Sequence, residues 1–262
     1  MRTTPRTIGL IMACAAGSFT TGCDALDPGG ALLYVFSTHH ASPVDGSFPN
    51  RGDDQAPRVF DTDMGWQVTM LEAYITIEAV TLVSCNGREL PLKMFWGPCP
   101  EDLRGEDLET LTVAGLELEP GDYCELIVDY GRYQMPVIQP GQEDTRHDIP
   151  ENTDVDGTTI YMLGGARRDE MMDQIPFSLR GTQELRVELD LTTVDGGGPL
   201  HVARHEDFPK ELLVSKTYDR FFDGVDFDNL DEGQLAGDLD AVLADQTRVQ
   251  VGTVVQVPGD EG

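Results

Sequence analysis

The sequence predicts a mainly β protein, an antiparallel β-sandwich with one short C-terminal helix. Many short segments alternate polar and apolar residues, and clusters of Gly, Pro, Asn and Asp separate them. Helical spacing of apolar residues is confined to residues 230–244. The sequence shows no alternation of strands with helices and no internal repeat, which favours an all-β sandwich over an α/β fold.

Each predicted strand combines a β-forming composition with alternation of polar and apolar residues. Strands are predicted over residues 31–37, 74–83, 89–95, 123–130, 158–163, 174–179, 184–191, 199–203 and 248–257. The pattern of residues 74–83 slips at Ala79-Val80, which suits a β-bulge. Asn86-Gly87 predicts a turn before the third strand, and residues 108–118 lead into a turn at 119–122.

Other segments carry no clear strand signal. Gly97-Pro98-Cys99-Pro100 is expected to break structure, and residues 134–157 read as a long loop. Residues 209–220 are mixed, and residues 221–227 read as an aromatic and acidic loop. The expected sandwich is of the immunoglobulin-like or transthyretin-like kind, formed by residues 31–262 as a single domain.

The N-terminus has the pattern of a bacterial secretion signal. Residues 1–7 are basic, residues 8–16 are apolar, and small polar residues lead to Cys23. Cleavage after Gly22 would leave Cys23 first, the arrangement used for lipid attachment, with residues 23–30 as a tether. Thr20 stands where an aliphatic residue is usual, so ordinary cleavage that leaves Cys23 as a thiol is the alternative. The apolar segment is too short to span a bilayer of about 30 Å.

The chain is strongly acidic. Its formal charge is −29, and removal of residues 1–22 takes away Arg2 and Arg6 and no acid, which gives −31. Such a surface repels nucleic acid and anionic lipid, since both need clustered Lys and Arg. The acid excess is typical of solubility in a salty habitat, with cation capture as the alternative.

The cysteines predict a disulfide, because exported proteins lie in oxidising compartments. With Cys23 acylated and Cys14 removed, Cys85, Cys99 and Cys124 remain. Cys85 ends one predicted strand and Cys124 lies inside another, which favours Cys85–Cys124; Cys85–Cys99 would close only a local loop. If Cys23 carries no lipid, four cysteines allow two bridges.

Four segments carry a resemblance to a group of predicted lipoproteins from myxobacteria and related bacteria. They read FDTDMGWQVTMLEAYITIEAVTLVSC (60–85), LELEPGDYCELIVDYG (116–131), TTIYMLGGA (158–166) and KTYDRFFDGVDFDNL (216–230). The resemblance implies an exported lipoprotein with a β-sandwich and a cysteine pair at Cys85 and Cys124, and it implies no activity. A looser similarity is to periplasmic copper-binding partners of dihaem peroxidase-like proteins. Members of the myxobacterial lipoprotein group often carry a His-x-His cluster between the two cysteines. This chain has no histidine between Cys85 and Cys124, so it departs from that pattern.

Two patterns could bind metals. Asn152, Asp154 and Asp156 stand at alternate positions before Gly157, as in a calcium loop, but the twelfth position is Leu163 instead of Glu. An Asp- and Gly-rich turn is the competing interpretation. His201 and His205 would share a helix face as zinc or copper ligands, yet on the predicted strand they lie about 13 Å apart. The acids at positions 223, 226, 228 and 231 are better explained as helix capping.

The sequence offers no catalytic motif. There is no Gly-x-Ser-x-Gly, and Cys99 has acidic Glu101 and Asp102 nearby without a basic neighbour that would activate it. We therefore expect a non-enzymatic binding or structural module, attached to the inner or outer membrane of the cell envelope by its lipid. Its expected partners are the membrane and an envelope protein, not nucleic acid; it needs no cofactor, with calcium left open. A periplasmic calcium, copper or zinc protein is the alternative function.

Overall fold

The computed structural model describes residues 29–45, 47–49, 56–136, 150–169 and 173–255. The predicted signal segment, Cys23 and residues 24–28 of the tether lie outside these residues, as do residues 137–149 of the predicted long loop. The strands are β1 (Ala31–His40), β2 (Arg58–Asp61), β3 (Gln67–Ser84), β4 (Glu89–Pro91), β5 (Lys93–Met94), β6 (Cys99–Asp102), β7 (Leu111–Leu118), β8 (Gly121–Tyr130), β9 (Ile160–Arg167), β10 (Ile175–Gly181), β11 (Leu185–Asp190), β12 (Leu200–Val202), β13 (Lys210–Thr217) and β14 (Thr247–Val251). The helix α1 spans Glu232–Gln246, and short 3-10 turns lie at Thr153–Val155, Tyr218–Arg220 and Phe227–Asn229.

The strands form two sheets, as the sandwich prediction requires. One sheet has the order β14-β13-β1-β7-β5. The other has the path β10-β9-β3-β8-β11, with β2, β4 and β6 also paired to the long β3 and β12 paired to β8. The mainly β, largely antiparallel prediction with one C-terminal helix is confirmed.

One pairing departs from the antiparallel expectation. β1 and β13 run parallel, with Leu33 opposite Lys210 and His39 opposite Lys216. Parallel neighbours require a long crossover connection, and here the whole of the second sheet lies between β1 and β13 in sequence. This pairing brings residues about 180 positions apart side by side at the C-terminal end of β1.

The core fills the space between the two sheets. Alternate residues of β1 point inward, and the side chains of Leu33 and Val35 are buried there. Leu235, Leu239 and Leu243 are buried at helical spacing, so α1 packs its apolar side on the sandwich beside β10 and β11. The predicted helix over 230–244 is therefore confirmed with a shift of two residues.

Two segments in which the sequence shows no clear strand signal form strands. Lys210–Thr217 forms the buried strand β13, although charged Lys210, Glu211 and Lys216 obscure its apolar pattern. The segment around Pro100 forms β6, which pairs with β3 on one side and so tolerates a residue that cannot donate a hydrogen bond. The predicted loop 221–227 contains Phe221, Phe222 and Phe227, which are all buried in the aromatic part of the core.

The long strand β3 confirms the predicted bulge. Its pairing with β8 shifts register between Ile77 and Ala79, one residue from the predicted slip. β3 ends at the turn containing Gly87, whose φ is +86°, the left-handed region that glycine tolerates best.

Cys85 and Cys124 form a disulfide at the end of the β3–β8 pair, with Cα atoms 4.8 Å apart. This confirms the favoured pairing, and Cys99 is buried outside that bridge. No helix within the described ranges is both long and apolar enough to cross a bilayer.

Candidate functional site

A network of charged side chains is buried between the two sheets. Lys216 of β13 is fully buried, and its Nζ lies 2.7 Å from Oε2 of Glu101 on β6. Lys216 Nζ also donates to Ser37 Oγ at 2.6 Å, and Ser37 Oγ donates to Glu101 Oε2 at 2.6 Å. The two sheets are thus joined by an ion pair whose charges are satisfied by short hydrogen bonds.

His39 of β1 extends this network toward the surface. Its Nδ1 lies 3.0 Å from Glu101 Oε1, and its Nε2 lies 3.2 Å from the carbonyl oxygen of Gly105. Both partners are acceptors, and the hydrogen bond at Nδ1 favours the ionised form of Glu101. Glu101 therefore receives hydrogen bonds on both carboxylate oxygens.

The burial and charges of the network set its protonation states. Burial alone would raise the pKa of Glu101, but Lys216 and His39 more than offset this effect and hold that pKa at about 2. Burial alone would lower the pKa of Lys216, yet the Glu101 carboxylate raises it above its usual value. Both groups of the pair are consequently charged at neutral pH.

We expect acid to destabilise the protein through Glu101. The folded-state pKa of about 2 is lower than the usual 4.5, so the unfolded chain takes up a proton first as the pH falls. The stabilisation of the folded state by this carboxylate is complete above about pH 4.5, and it is lost as the pH falls from there to about 2. A shift of this size corresponds to about 3 kcal/mol of unfolding free energy. Urea denaturation at a series of pH values measures it.

The matched control for acid stability is the double variant Glu101→Leu/Lys216→Met, which removes the pair together. Other carboxylates also titrate in this pH range. The informative quantity is therefore the difference in unfolding free energy between the parent and the double variant at each pH. Parallel pH profiles for the two proteins would contradict the assignment to Glu101.

A second buried ion pair lies beside the first. Arg58 Nη2 of β2 is 3.7 Å from Asp107 Oδ1, and the Tyr218 hydroxyl donates to Asp107 Oδ2 at 3.1 Å. Arg58 also donates to the Gly105 carbonyl that faces His39. The loop after β6 is therefore fixed by charged groups from both sheets.

A cavity of about 400 Å³ opens above this network. The side chains of Ser37, His39 and Glu101 form part of its lining, and all three are nearly fully buried. Trp96, Glu109 and Thr112 line the outer part. A cavity in which buried polar groups converge is the usual form of a small-ligand site.

The three residues of the predicted calcium loop form hydrogen bonds and an ion pair with other protein groups. Asn152 Nδ2 donates to Glu72 Oε2 at 2.6 Å, and Asn152 Oδ1 accepts from the Asp154 amide at 2.9 Å. Asp154 Oδ1 pairs with Arg180 at 3.2 Å, and Asp156 Oδ1 accepts from the Met135 amide at 2.7 Å. These contacts build a 3-10 turn, and calcium binding stays a prediction.

The two predicted metal-binding histidines have different partners. His201 lies on β12, and its Nδ1 is 2.7 Å from Asp122 Oδ1 on the neighbouring strand. His205 lies beyond β12 and bridges to Gly30 through the backbone. In the part of the chain that the structure describes, no three His, Cys, Asp or Glu side chains converge as a metal site.

The acidic segment near α1 does cap helical turns, as expected. Asp226 Oδ1 accepts from the Asp228 amide, and Asp231 Oδ1 accepts from the Gly233 amide in the first turn of α1. Asp226 also pairs with Arg168 at 3.3 Å.

Sequence reasoning missed the buried network because its members are far apart in the chain. The sequence immediately around Cys99 also contains no cationic residue. In the fold, the charge of Lys216 interacts with the Cys99 thiol. One signal was available. Lys216 is one of only three lysines and continues the inward positions of Leu212 and Val214 at period two.

Comparisons with known proteins identify no family for this chain. No protein-family model and no curated protein matches the sequence. Among solved structures, MbnP from Methylosinus trichosporium is similar at 11% identity, over 85% of this chain and 99% of that chain, with a TM-score of 0.35. The resemblance to the myxobacterial lipoprotein group therefore stays a prediction.

Proposed function

We propose that this protein is an exported, lipid-anchored binding protein of the cell envelope, and that the cavity above His39 and Glu101 holds a small polar ligand. The observation that supports the proposal is the convergence of three buried polar side chains on one cavity of about 400 Å³. Signal-like residues 1–22 and Cys23 support the anchored location.

The protonation states in the network favour binding over nucleophilic catalysis. Ser37 lies beside a lysine that is held protonated, so Lys216 cannot take the hydroxyl proton. Ser37 donates instead to Glu101, whose low pKa makes it a weak base. His39 contacts Glu101 and Gly105, and its contacts do not include Ser37. The network is built to hold charges in place.

The outer part of the cavity favours a ligand with a positively charged group. Asp102 is paired with Arg104 at 3.1 Å, but Glu109 is exposed at the rim and belongs to none of the ion pairs formed by the described residues. The threonine hydroxyls of Thr110 and Thr112 add hydrogen-bonding groups. A net charge of −29 also raises the local concentration of cations.

A panel of small compounds tests the binding proposal. The panel contains ethanolamine, putrescine and lysine as amines, succinate as a dicarboxylate, glucose, and the chlorides of calcium, copper and zinc. We expect an amine to raise the melting temperature saturably and to change the fluorescence of Trp96, since Trp66 is buried away from solvent. Trp96→Phe should abolish the fluorescence change.

Glu109→Gln is the informative variant, and Glu106→Gln is its matched control. Glu109 lines the cavity, whereas Glu106 is exposed nearby and does not. We expect Glu109→Gln to weaken amine binding about fivefold, equivalent to about 1 kcal/mol, with no change for Glu106→Gln. Stabilisation by a metal alone would favour the metal-binding function, and no saturable effect from any compound would contradict the proposal.

A further inference from the structure

The chain joins the sandwich through a narrow backbone slot at Gly29 and Gly30. The Gly30 amide donates to the Arg204 carbonyl at 2.9 Å. A Cβ on Gly29 would lie 1.9 Å from the Arg204 carbonyl oxygen, and a Cβ on Gly30 would lie 1.8 Å from that of Leu118. Both glycines have positive φ values, +67° and +135°. The backbone is thus held from two sides at the start of β1.

An apolar surface lies beside this slot. Phe208 is 79% exposed and Leu32 is 49% exposed, and both line one surface depression together with Gly29, Gly30 and Pro209. We call Leu32, Phe208 and Pro209 the N-terminal patch. Phe208 has the largest exposed fraction of any large apolar side chain in the described ranges. Contiguous exposed apolar side chains of this kind mark a surface that contacts a protein or a membrane.

The patch continues along the outer face of β1. Leu32 and Tyr34 lie on the same face of the strand because alternate residues share a face. The Tyr34 ring stacks on Phe95 with centroids 6.2 Å apart, and Phe95 is 40% exposed. Amphipathic and aromatic side chains of this kind suit the boundary between water and lipid.

The length of the N-terminal chain indicates which surface covers the patch. Five residues, 24–28, separate Cys23 from Gly29. Fully extended, this segment reaches about 20 Å, so a lipid on Cys23 would keep the slot close to the bilayer. A protein partner would need an interface of about 800 Å² and about 20 residues per side, more than the N-terminal patch offers even together with Tyr34 and Phe95.

We infer that the N-terminal patch rests on the membrane surface and orients the domain. This inference depends on the lipid anchor of the proposed function. The acids Glu117, Glu206 and Asp207 surround the patch with Arg204, so zwitterionic lipid suits it better than anionic lipid. His39 lies eight residues beyond Ala31 along β1, about 26 Å away, so the cavity lies at the end of β1 opposite the anchored end.

Site-specific fluorescence tests the inference on the mature lipidated protein, which lacks residues 1–22 and whose Cys23 sulfur carries lipid. Phe208→Cys is labelled with an environment-sensitive fluorophore, and Val59→Cys is the matched control, exposed on the other sheet. Cys99 is buried, and Cys85 and Cys124 are bridged, so the new thiol takes the label. Both proteins are reconstituted into phosphatidylcholine vesicles that contain brominated lipid.

We expect both proteins to float with the vesicles and the label at position 208 to be quenched severalfold more than the label at 59. Addition of phosphatidylglycerol should reduce quenching at 208. Flotation with equal quenching, or none, at the two positions would overturn the inference, keep the anchor, and leave the patch to a protein partner. Failure to float would refute the anchor of the proposed function, and the inference with it.

Discussion

Replacing Lys216 with methionine should lower the unfolding free energy by about 3–5 kcal/mol, because the change leaves the Glu101 carboxylate buried without its partner. Lys216 is fully buried and contacts both Glu101 Oε2 and Ser37 Oγ within 2.7 Å. Methionine fills a similar volume, so little of the loss comes from a cavity. The loss should shrink on acidification, since a neutral carboxyl group is easier to bury.

Urea denaturation of three variants separates the charge effect from packing. Glu101→Leu/Lys216→Met should recover most of the lost stability, because a buried ion pair replaced as a unit by apolar residues is often neutral or stabilising. Arg186→Met is the exposed control. Its pair with Asp129 at 3.0 Å lies on the surface and should contribute less than about 1 kcal/mol. The two single variants are compared by their loss of unfolding free energy. If Lys216→Met lost no more than Arg186→Met, water would have to reach Glu101.

The sequence predicts the strands whose own residues alternate between polar and apolar, and it misses those in which a distant part of the chain compensates an inward charged residue. β3 and β8 alternate polar and apolar residues in sequence, so both were predictable, although the structure buries both faces along the middle of each strand. β13 was missed because its inward Lys216 is matched by a carboxylate 115 positions earlier in the chain, which no local pattern shows. The parallel pairing of β1 with β13 was unpredictable for the same reason.

The candidate site shows the same limit. His39 and Ser37 lie at the end of an apolar strand, Glu101 follows a proline, and Lys216 stands in a mixed segment. None of them belongs to a motif, and only the meeting of β1, β6 and β13 brings them together. The residues that did form sequence motifs, Asn152 and His201 among them, instead make contacts that hold turns and strand ends. Local patterns here report on local structure.

Removing the disulfide with Cys85→Ala/Cys124→Ala should lower the unfolding free energy by about 4 kcal/mol. The bridge joins residues 39 positions apart, and closing a loop of that length restricts the unfolded chain by about this amount. Cys85 is exposed and Cys124 is half-buried, so the alanines remove little packing. The unfolding free energy of the variant should also fall more steeply with urea concentration, because its unfolded chain exposes more surface.

A reductant provides the control within the same experiment. It should lower the stability of the parent to that of the double variant and leave the double variant unchanged. Cys99→Ala keeps the bridge, so its stability should still fall on reduction by the same amount as the parent. The bridge covalently ties the end of β3 to β8, where Ser84 lies opposite Tyr123, and encloses β4 to β7. If reduction left the parent unchanged, the β3–β8 pairing alone would be sufficient to restrain this segment, and the disulfide would add no stability.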